Sequence, residues 1–154
     1  MIDVGGSNVK LMRSGHPQEM LKFPSTGNLS GKAMVEKALS LVARWSFDCV
    51  TLGFPGVVRQ GVPVADPINL GSGWKDFDYA AAFQKPVRII NDALLQGLSH
   101  YEGGRMFFFG LGTSVACAIG MDGIVSTVEL GWFDFRDRIL SWIDSRRKPC
   151  GLAE

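Results

Sequence analysis

The sequence predicts an α/β fold in which helices flank a mixed β-sheet. Two observations carry this prediction. Short apolar runs of strand length alternate with segments whose apolar residues recur at helical spacing. Two glycine-bearing turns, Gly5-Gly6-Ser7 and Gly112-Thr113-Ser114, each join two strand-like runs. Because each turn opens a similar series of elements, the chain is interpreted as two related lobes, the second only begun.

The first elements follow directly from local patterns. Residues 2–4 are apolar enough for a short strand, and residues 8–12 alternate as the return strand of a hairpin. A third strand is predicted at 20–23, ended by Pro24. Ser30 is a suitable N-cap for a helix over 30–45. Its apolar stripe consists of Met34, Ala38, Leu41 and Val42.

The middle of the chain continues the alternation. A buried strand is predicted at 49–53, followed by a hairpin and loop rich in Gly, Pro and Asn at 57–74. A short helix at 77–83 leads into a strand at 87–90. Residues 92–101 show helical spacing of Leu94, Leu95 and Leu98.

The last third begins with strands rather than helices. Strands are predicted at 106–111, 115–121 and 124–128, with a turn at Asp122-Gly123. An amphipathic helix is expected over 135–147.

Composition excludes several classes of protein. Apolar residues make up 46% of the 154 and charged residues 20%, which is typical of a chain with a packed core. The net charge of +1, with no basic tract, argues against nucleic-acid binding. No signal peptide or membrane-length apolar run is predicted. Three widely spaced cysteines (Cys49, Cys117 and Cys150) predict neither a disulfide framework nor a zinc site, and favour a reducing cytoplasm.

The first glycine turn is predicted to bind phosphate. Gly5 and Gly6 leave room for a phosphoryl group and expose backbone N–H donors. Ser7 is the third residue of this turn. Lys10 is suited to neutralising charge. Asp3, at the end of the first strand, is predicted to hold Mg²⁺ through water, since hydrated Mg²⁺ needs only one or two carboxylates. A plain glycine-rich hairpin is the alternative interpretation.

Asn91 and Asp92 lie between an apolar strand and a helix. A carboxylate in that position is able to accept the proton of an attacking hydroxyl, which makes Asp92 the candidate general base. Asp92 is equally suited to capping the helix, and both roles are compatible if Asn91 is the cap.

Three further residues are candidate sugar contacts. The Asn69 amide is suited to two sugar hydroxyls, and the Trp74 indole to an apolar sugar face. A turn with a packed tryptophan is the commoner meaning of that loop. Glu129 is a more weakly signalled sugar contact. His16 and His100 show no partner pattern and are interpreted as surface residues.

Taken in order, these segments resemble sugar kinases of the ROK family (repressor, open reading frame, kinase), most closely its polyphosphate-glucokinase-like branch. The resemblance covers the chain as far as Gly131, and the ordered set is more specific than any single motif. The matching segments are Asp3-Val4-Gly5-Gly6-Ser7-Asn8-Val9-Lys10 (first phosphate motif), Gly53-Phe54-Pro55-Gly56-Val57-Val58 (substrate-side loop), Asn69 with Trp74 (glucose contacts), Asn91-Asp92-Ala93 (general-base motif), Leu111-Gly112-Thr113-Ser114 (second phosphate motif) and Glu129-Leu130-Gly131 (sugar contact).

The resemblance implies an actin-like ATPase (ribonuclease H-like) fold. Residues 1–104 would form the N-terminal lobe, and residues 105–154 the opening strands and a helix of a truncated C-terminal lobe. It implies phosphoryl transfer from ATP or polyphosphate to the 6-hydroxyl of glucose or a similar hexose, with Mg²⁺ and without zinc. The implied site comprises Asp92 as base, Asn69, Asn91, Asp92 and Glu129 on the sugar, Gly5, Gly6, Ser7, Lys10, Gly112 and Thr113 on phosphate, and Asp3 on the metal.

The chain also departs from the family pattern. Trp132 replaces a histidine that contacts the sugar, and Ser114 replaces a glycine of the second phosphate motif. Only two residues precede Asp3, and the chain stops at Glu154. We therefore expect a cytoplasmic sugar kinase of poor activity, without nucleic-acid or membrane partners and with a homodimer among the assemblies to be tested.

The alternative function is that of a non-catalytic sugar-binding or regulatory remnant of a ROK protein. A DNA-binding repressor is the weaker form of this alternative, because no helix-turn-helix precedes Asp3. A reading frame that continues after codon 154 into another lobe would favour the enzyme.

Overall fold

The main sheet has five strands in the order β3-β2-β1-β4-β7. A computed structural model describes residues 1–111, 115–128, 134–135 and 138–139. The strands are β1 (Ile2–Val4), β2 (Asn8–Arg13), β3 (His16–Pro24), β4 (Val50–Phe54), β5 (Val58–Arg59), β6 (Val62–Pro63), β7 (Val87–Asn91), β8 (Arg105–Leu111), β9 (Val115–Met121), β10 (Ile124–Thr127), β11 (Asp134–Phe135) and β12 (Arg138–Ile139). The helices are α1 (Gly31–Leu41), α2 (Tyr79–Phe83) and α3 (Asp92–His100).

The sheet is mixed, as the sequence predicts. Strands β1 and β2 form the first hairpin, in which Asp3 lies opposite Lys10. Strands β1, β4 and β7 run parallel, with Asp3 beside Gly53 and Gly53 beside Ile90. Three parallel strands in the middle of the molecule therefore end at one edge of the sheet.

Alternation along the strands divides residues between the two faces of this sheet. Val4, Leu52 and Phe54 point into the main core, which they share with Met34 and other residues of α1. Asp3 and Gly53 are their alternating neighbours and face α3 instead. Helix α3 thus covers the polar, glycine-bearing side of the central strands, while α1 and α2 cover the apolar side.

Helix α3 also packs on a second, three-stranded sheet of order β10-β9-β8. The contact is close because Gly97 carries no side chain. A Cβ at Gly97 would lie 2.7 Å from Cβ of Ala118 on β9. His100 stacks on Phe108 of β8 with ring centroids 5.6 Å apart. The same helix therefore contacts the segment predicted as the first lobe and the strands predicted to open the second.

Several predicted boundaries differ from the structure. The third strand starts at His16 rather than residue 20, because its pairing with β2 extends to the turn at Gly15. Helix α1 ends at Leu41, before the predicted residue 45. The predicted helix over 135–147 is wrong at its start, since β11 and β12 form an antiparallel pair there. Its remaining residues lie outside the described part of the chain. None of the helices in the described ranges has the length and apolar character of a membrane span.

Candidate active site

The candidate site lies where the three parallel strands end. Strand β1 leads into Gly5-Gly6-Ser7, β4 leads into Pro55-Gly56, and β7 leads into Asp92. The carboxyl ends of parallel strands are the usual place for ligands in α/β sheets. Asp92 directly follows the carboxyl end of β7, which confirms the predicted position of this residue. Asn69 belongs to the connection between β6 and α2 and is exposed.

The Asn91 side chain fixes the start of α3. Its Oδ1 accepts the backbone N–H of Leu94 at 3.1 Å, which is an N-cap bond. Its Nδ2 donates to the carbonyl of Gly56 at 3.0 Å. One amide therefore joins the first turn of α3 to the turn after β4. Asp92, half-buried at the first helical position, accepts the backbone N–H of Ala93 through Oδ1 at 2.9 Å.

Gly53 lets α3 rest directly on β4. A Cβ at this position would lie 2.6 Å from Leu95 Cδ2 and 3.5 Å from the Asp92 Cα. A side chain at residue 53 would first displace the Leu95 side chain and would come into van der Waals contact with the Asp92 backbone. Glycine at this position therefore allows the close approach of α3 to β4.

The first glycine turn is held by its own backbone and by the residue after β3. The N–H of Gly5 donates to the Asn8 carbonyl at 3.0 Å, and a Cβ on Gly5 would lie 3.1 Å from that oxygen. Ser25 Oγ donates to the Gly5 carbonyl at 2.6 Å, and the Ser25 N–H donates to the Ser7 carbonyl at 3.0 Å. The Gly5 N–H is thus used inside the hairpin, and Ser7 is exposed at its tip.

Asp3 is a buried carboxylate, only 8% exposed. Its Oδ2 lies 3.4 Å from Lys10 Nζ and 3.5 Å from Gln96 Nε2, and both are long contacts. Its Oδ1 is buried without a hydrogen-bond partner. Lys10, predicted to neutralise phosphate, is thus placed beside Asp3, although 47% of its side chain remains exposed.

These features fit a hydrated Mg²⁺ at Asp3. The buried Oδ1 lacks a hydrogen-bond donor, which a water molecule bound to a cation would supply. Within the described ranges, no cluster of three or more His, Cys, Asp and Glu side chains offers an all-protein cage. Such a cage is unnecessary for Mg²⁺, which keeps most of its waters.

Trp74 is a core residue, so the predicted stacking of its indole on a sugar is wrong. The side chain is fully buried, and its Nε1–H donates to the Leu29 carbonyl at 2.8 Å. Its ring meets Phe54 edge to face, with centroids 6.1 Å apart. The packed tryptophan, the other interpretation of this loop, is correct.

Asp66 organises the same loop, a role that the sequence analysis does not predict. Its Oδ1 accepts the N–H groups of Lys75 at 2.9 Å and Trp74 at 2.8 Å, and Oδ2 accepts that of Gly73 at 3.2 Å. These backbone donors, Lys75 first, lower the pKa of Asp66 below its ordinary value of 3.8. An aspartate ahead of a Gly-rich turn is the only sequence signal for this role.

We expect acid to weaken this loop through Asp66. A carboxyl whose pKa is lowered by folding stabilises the folded state above its ordinary pKa, and that contribution disappears as pH falls through the lower, folded pKa. The difference in unfolding free energy between the unaltered protein and Asp66→Asn should therefore be constant well above pH 3.8 and shrink below it. Urea titrations at a series of pH values measure this difference. A difference that does not change with pH would contradict the role given to Asp66.

Part of the predicted site lies outside the described residues. These positions are Gly112 and Thr113 of the second phosphate motif, Ser114, the sugar contact Glu129, and Trp132. Their predicted roles stay predictions.

We compared the sequence and the structure of this chain with those of known proteins. No protein-family model matches the sequence, and no curated protein matches it. Solved structures with a similar fold include several sugar kinases, some of them named as members of the ROK family.

An inorganic polyphosphate/ATP-glucomannokinase from Arthrobacter sp. strain KM matches with a TM-score of 0.73 and 24% identity, over 91% of this chain and 65% of that one. A ROK family glucokinase from Streptomyces griseus, solved with glucose and AMPPNP, matches with a TM-score of 0.70 and 16% identity, over 86% and 49%. A putative N-acetylmannosamine kinase from Listeria monocytogenes matches with a TM-score of 0.66 and 18% identity, over 86% and 52%.

The chain therefore has the actin-like ATPase fold of these kinases, which confirms the predicted fold class. It spans between 49% and 65% of the length of these three structures.

Proposed function

We propose that this chain belongs to the ROK family and acts as a sugar kinase, moving a phosphoryl group from ATP or polyphosphate to the 6-hydroxyl of glucose. The observation that carries the proposal is the position of Asp92. Asp92 opens α3 at the edge where β1, β4 and β7 end, and β4 lies between its strand and β1, which leads into Gly5-Gly6. The solved kinases of the same fold include proteins named for glucose and polyphosphate, which supports these substrates.

In the proposed reaction Asp92 is the general base. Its carboxylate accepts the proton of the sugar 6-hydroxyl while the hydroxyl oxygen bonds to the terminal phosphorus. The bond from that phosphorus to the bridging oxygen breaks, and its electron pair leaves with the shortened donor. The Asn91 bonds to Leu94 and Gly56 hold the base in place, so that little motion is needed at the moment of transfer.

The sugar contacts would come from Asn69, Asn91, Asp92 and Glu129. Asn91 keeps one amide hydrogen beyond the bond to Gly56, because a primary amide has two. Asn69 is exposed and able to turn toward a ligand. A hexose bound this way presents several hydroxyls to amide and carboxylate groups, whose fixed positions would decide which sugar fits.

The phosphoryl donor would lie on Gly5, Gly6, Ser7 and Lys10, with Gly112 and Thr113 from the second motif. Asp3 would hold Mg²⁺ through water, and the bound ion would neutralise charge on the donor's phosphoryl oxygens. Zinc has no place in the proposal. The protein would act in the cytoplasm, and a homodimer is one assembly to be tested.

Calorimetry with glucose and with deoxy analogues tests the sugar site. Glucose should bind more tightly, by roughly ten- to a hundredfold, than an analogue lacking a contacted hydroxyl, because the analogue leaves a polar group unpaired. Asn69→Ala should reduce this discrimination. Ile68→Ala, which changes an exposed neighbour in the same loop, should not. Equal affinity for all these sugars would reject a specific hexose site.

A further inference from the structure

The contact between Asp3 and Gln96 joins the two candidate carboxylates through one helix. Gln96 lies one turn after Asp92 on α3, and residues four apart lie on the same face of a helix. Its Nε2 donates to Asp3 Oδ2 at 3.5 Å across 93 residues of sequence. The general-base candidate and the metal candidate are therefore linked by a single rigid element.

Asp3 has two neighbours with different electrostatic effects. The Lys10 ammonium at 3.4 Å carries a full positive charge, so it competes with any cation for the carboxylate. The Gln96 amide is neutral and donates a hydrogen bond without cancelling the charge. Gln96 is thus able to orient Asp3 and leave its charge available to a cation.

A small cavity adjoins these groups. Its volume is about 190 Å³, and it is lined by Asp3, Lys10, Gln96 and Ser99 together with Met1, Met12, Met20 and Leu95. Since a water molecule takes about 30 Å³ in the liquid, the cavity has room for several waters. The contacts of 3.4 and 3.5 Å to Asp3 Oδ2 are long for hydrogen bonds, and such bonds in ligand-free sites shorten in some proteins when the ligand binds.

We propose that Gln96 is a positioning residue for the cation site at Asp3. Its amide holds Oδ2 so that the unpartnered Oδ1 is the atom offered to the waters of a divalent cation. Through α3 it also fixes the separation between that cation and Asp92. This inference rests on the proposed function, because it assumes that Asp3 serves a cation.

Binding of Mn²⁺ alone, followed by electron paramagnetic resonance, tests this role without the reaction. Gln96→Met keeps the length of the side chain and removes its hydrogen bonds, and should weaken Mn²⁺ binding about 10- to 100-fold, as is usual for lost outer-shell partners. Ser99→Ala is the matched control, because Ser99 lines the same cavity and its hydroxyl donates to the Gln96 carbonyl rather than to Asp3. Its Mn²⁺ affinity should be unchanged.

Lys10→Met supplies a change of the opposite sign. Removing the competing ammonium should tighten Mn²⁺ binding, whereas a general disturbance of the cavity would weaken it. Thermal unfolding of each variant verifies that it is folded. The proposal is supported if Gln96→Met binds Mn²⁺ more weakly than the unaltered protein, Ser99→Ala binds it equally well and Lys10→Met binds it more tightly.

Other outcomes would overturn it. Unchanged Mn²⁺ affinity in Gln96→Met rejects the positioning role and leaves the proposed kinase intact. Equal weakening in all three variants also rejects it, since that result indicates a packing defect. An unaltered protein that binds no Mn²⁺ rejects the cation site and the inference with it. Normal Mn²⁺ results with no discrimination among sugars would instead reject the proposed kinase.

Discussion

Replacing Asp92 by asparagine is expected to lower the rate of glucose phosphorylation by about 10²- to 10⁴-fold, the range for loss of a general base. Asparagine has nearly the same shape and keeps an oxygen able to accept the Ala93 N–H, so α3 should still begin at this residue. The substitution removes the negative charge and with it the ability to accept the hydroxyl proton. A coupled glucose-6-phosphate assay, run separately with ATP and with polyphosphate, measures the rate and compares the two donors.

Asp78→Asn is the matched control for this experiment. Asp78 also sits at a helix start, where its Oδ1 accepts the Ala81 N–H at 2.9 Å, but it precedes α2 rather than following a parallel strand. Its replacement should leave the transfer rate unchanged. Full activity in Asp92→Asn would reject the general-base role. Glucose binding without transfer by the unaltered protein would select the sugar-binding alternative over the kinase.

Replacing Trp74 by alanine is expected to reduce the free energy of unfolding by about 3–5 kcal/mol, the usual cost of truncating a fully buried aromatic side chain. The variant loses the packing against Phe54 and leaves the Leu29 carbonyl without the indole donor. Urea denaturation gives the free energy directly. Trp74→Phe keeps an aromatic ring and should reduce the free energy of unfolding by less. Its main cost is the Leu29 carbonyl, which loses its hydrogen-bond donor.

Trp45→Ala is the control for this second prediction. Trp45 is only half-buried, and the Arg13 guanidinium lies 5.8 Å from the centre of its ring. Trp45→Ala should reduce the free energy of unfolding by clearly less than Trp74→Ala does. If Trp74→Ala instead retained its stability and lost sugar affinity, the indole would belong to the sugar site and the packing interpretation would be refuted.

Elements governed by neighbouring residues were predictable from the sequence. Ser30 caps α1 by accepting the Ala33 N–H at 3.2 Å, and Asn91 caps α3 in the same way, as both patterns indicated. The first hairpin and the strand before Asp92 also occur as predicted. The resemblance to ROK kinases implied the actin-like fold, and the similar solved structures confirm it.

The start of the predicted terminal helix was wrong because local spacing did not decide its structure. Its apolar spacing suited a helix, yet residues 134–135 and 138–139 pair as strands. Short apolar runs fit either structure, and pairing partners decide between them. The roles of the site residues and the two-lobe division were inferred from residue patterns and from the resemblance, and they remain predictions.

The sequence by itself determined the order of elements along the chain, the caps and the position of Asp92 after a strand, because these depend on periodicity and on residues a few positions apart. Only the tertiary structure decided that Trp74 is core, since its hydrogen-bond partner Leu29 lies 45 residues away. Only the tertiary structure brought Gln96 to Asp3, 93 residues apart. Contacts of this range depend on how α3 packs against the sheet, and no local pattern records that packing.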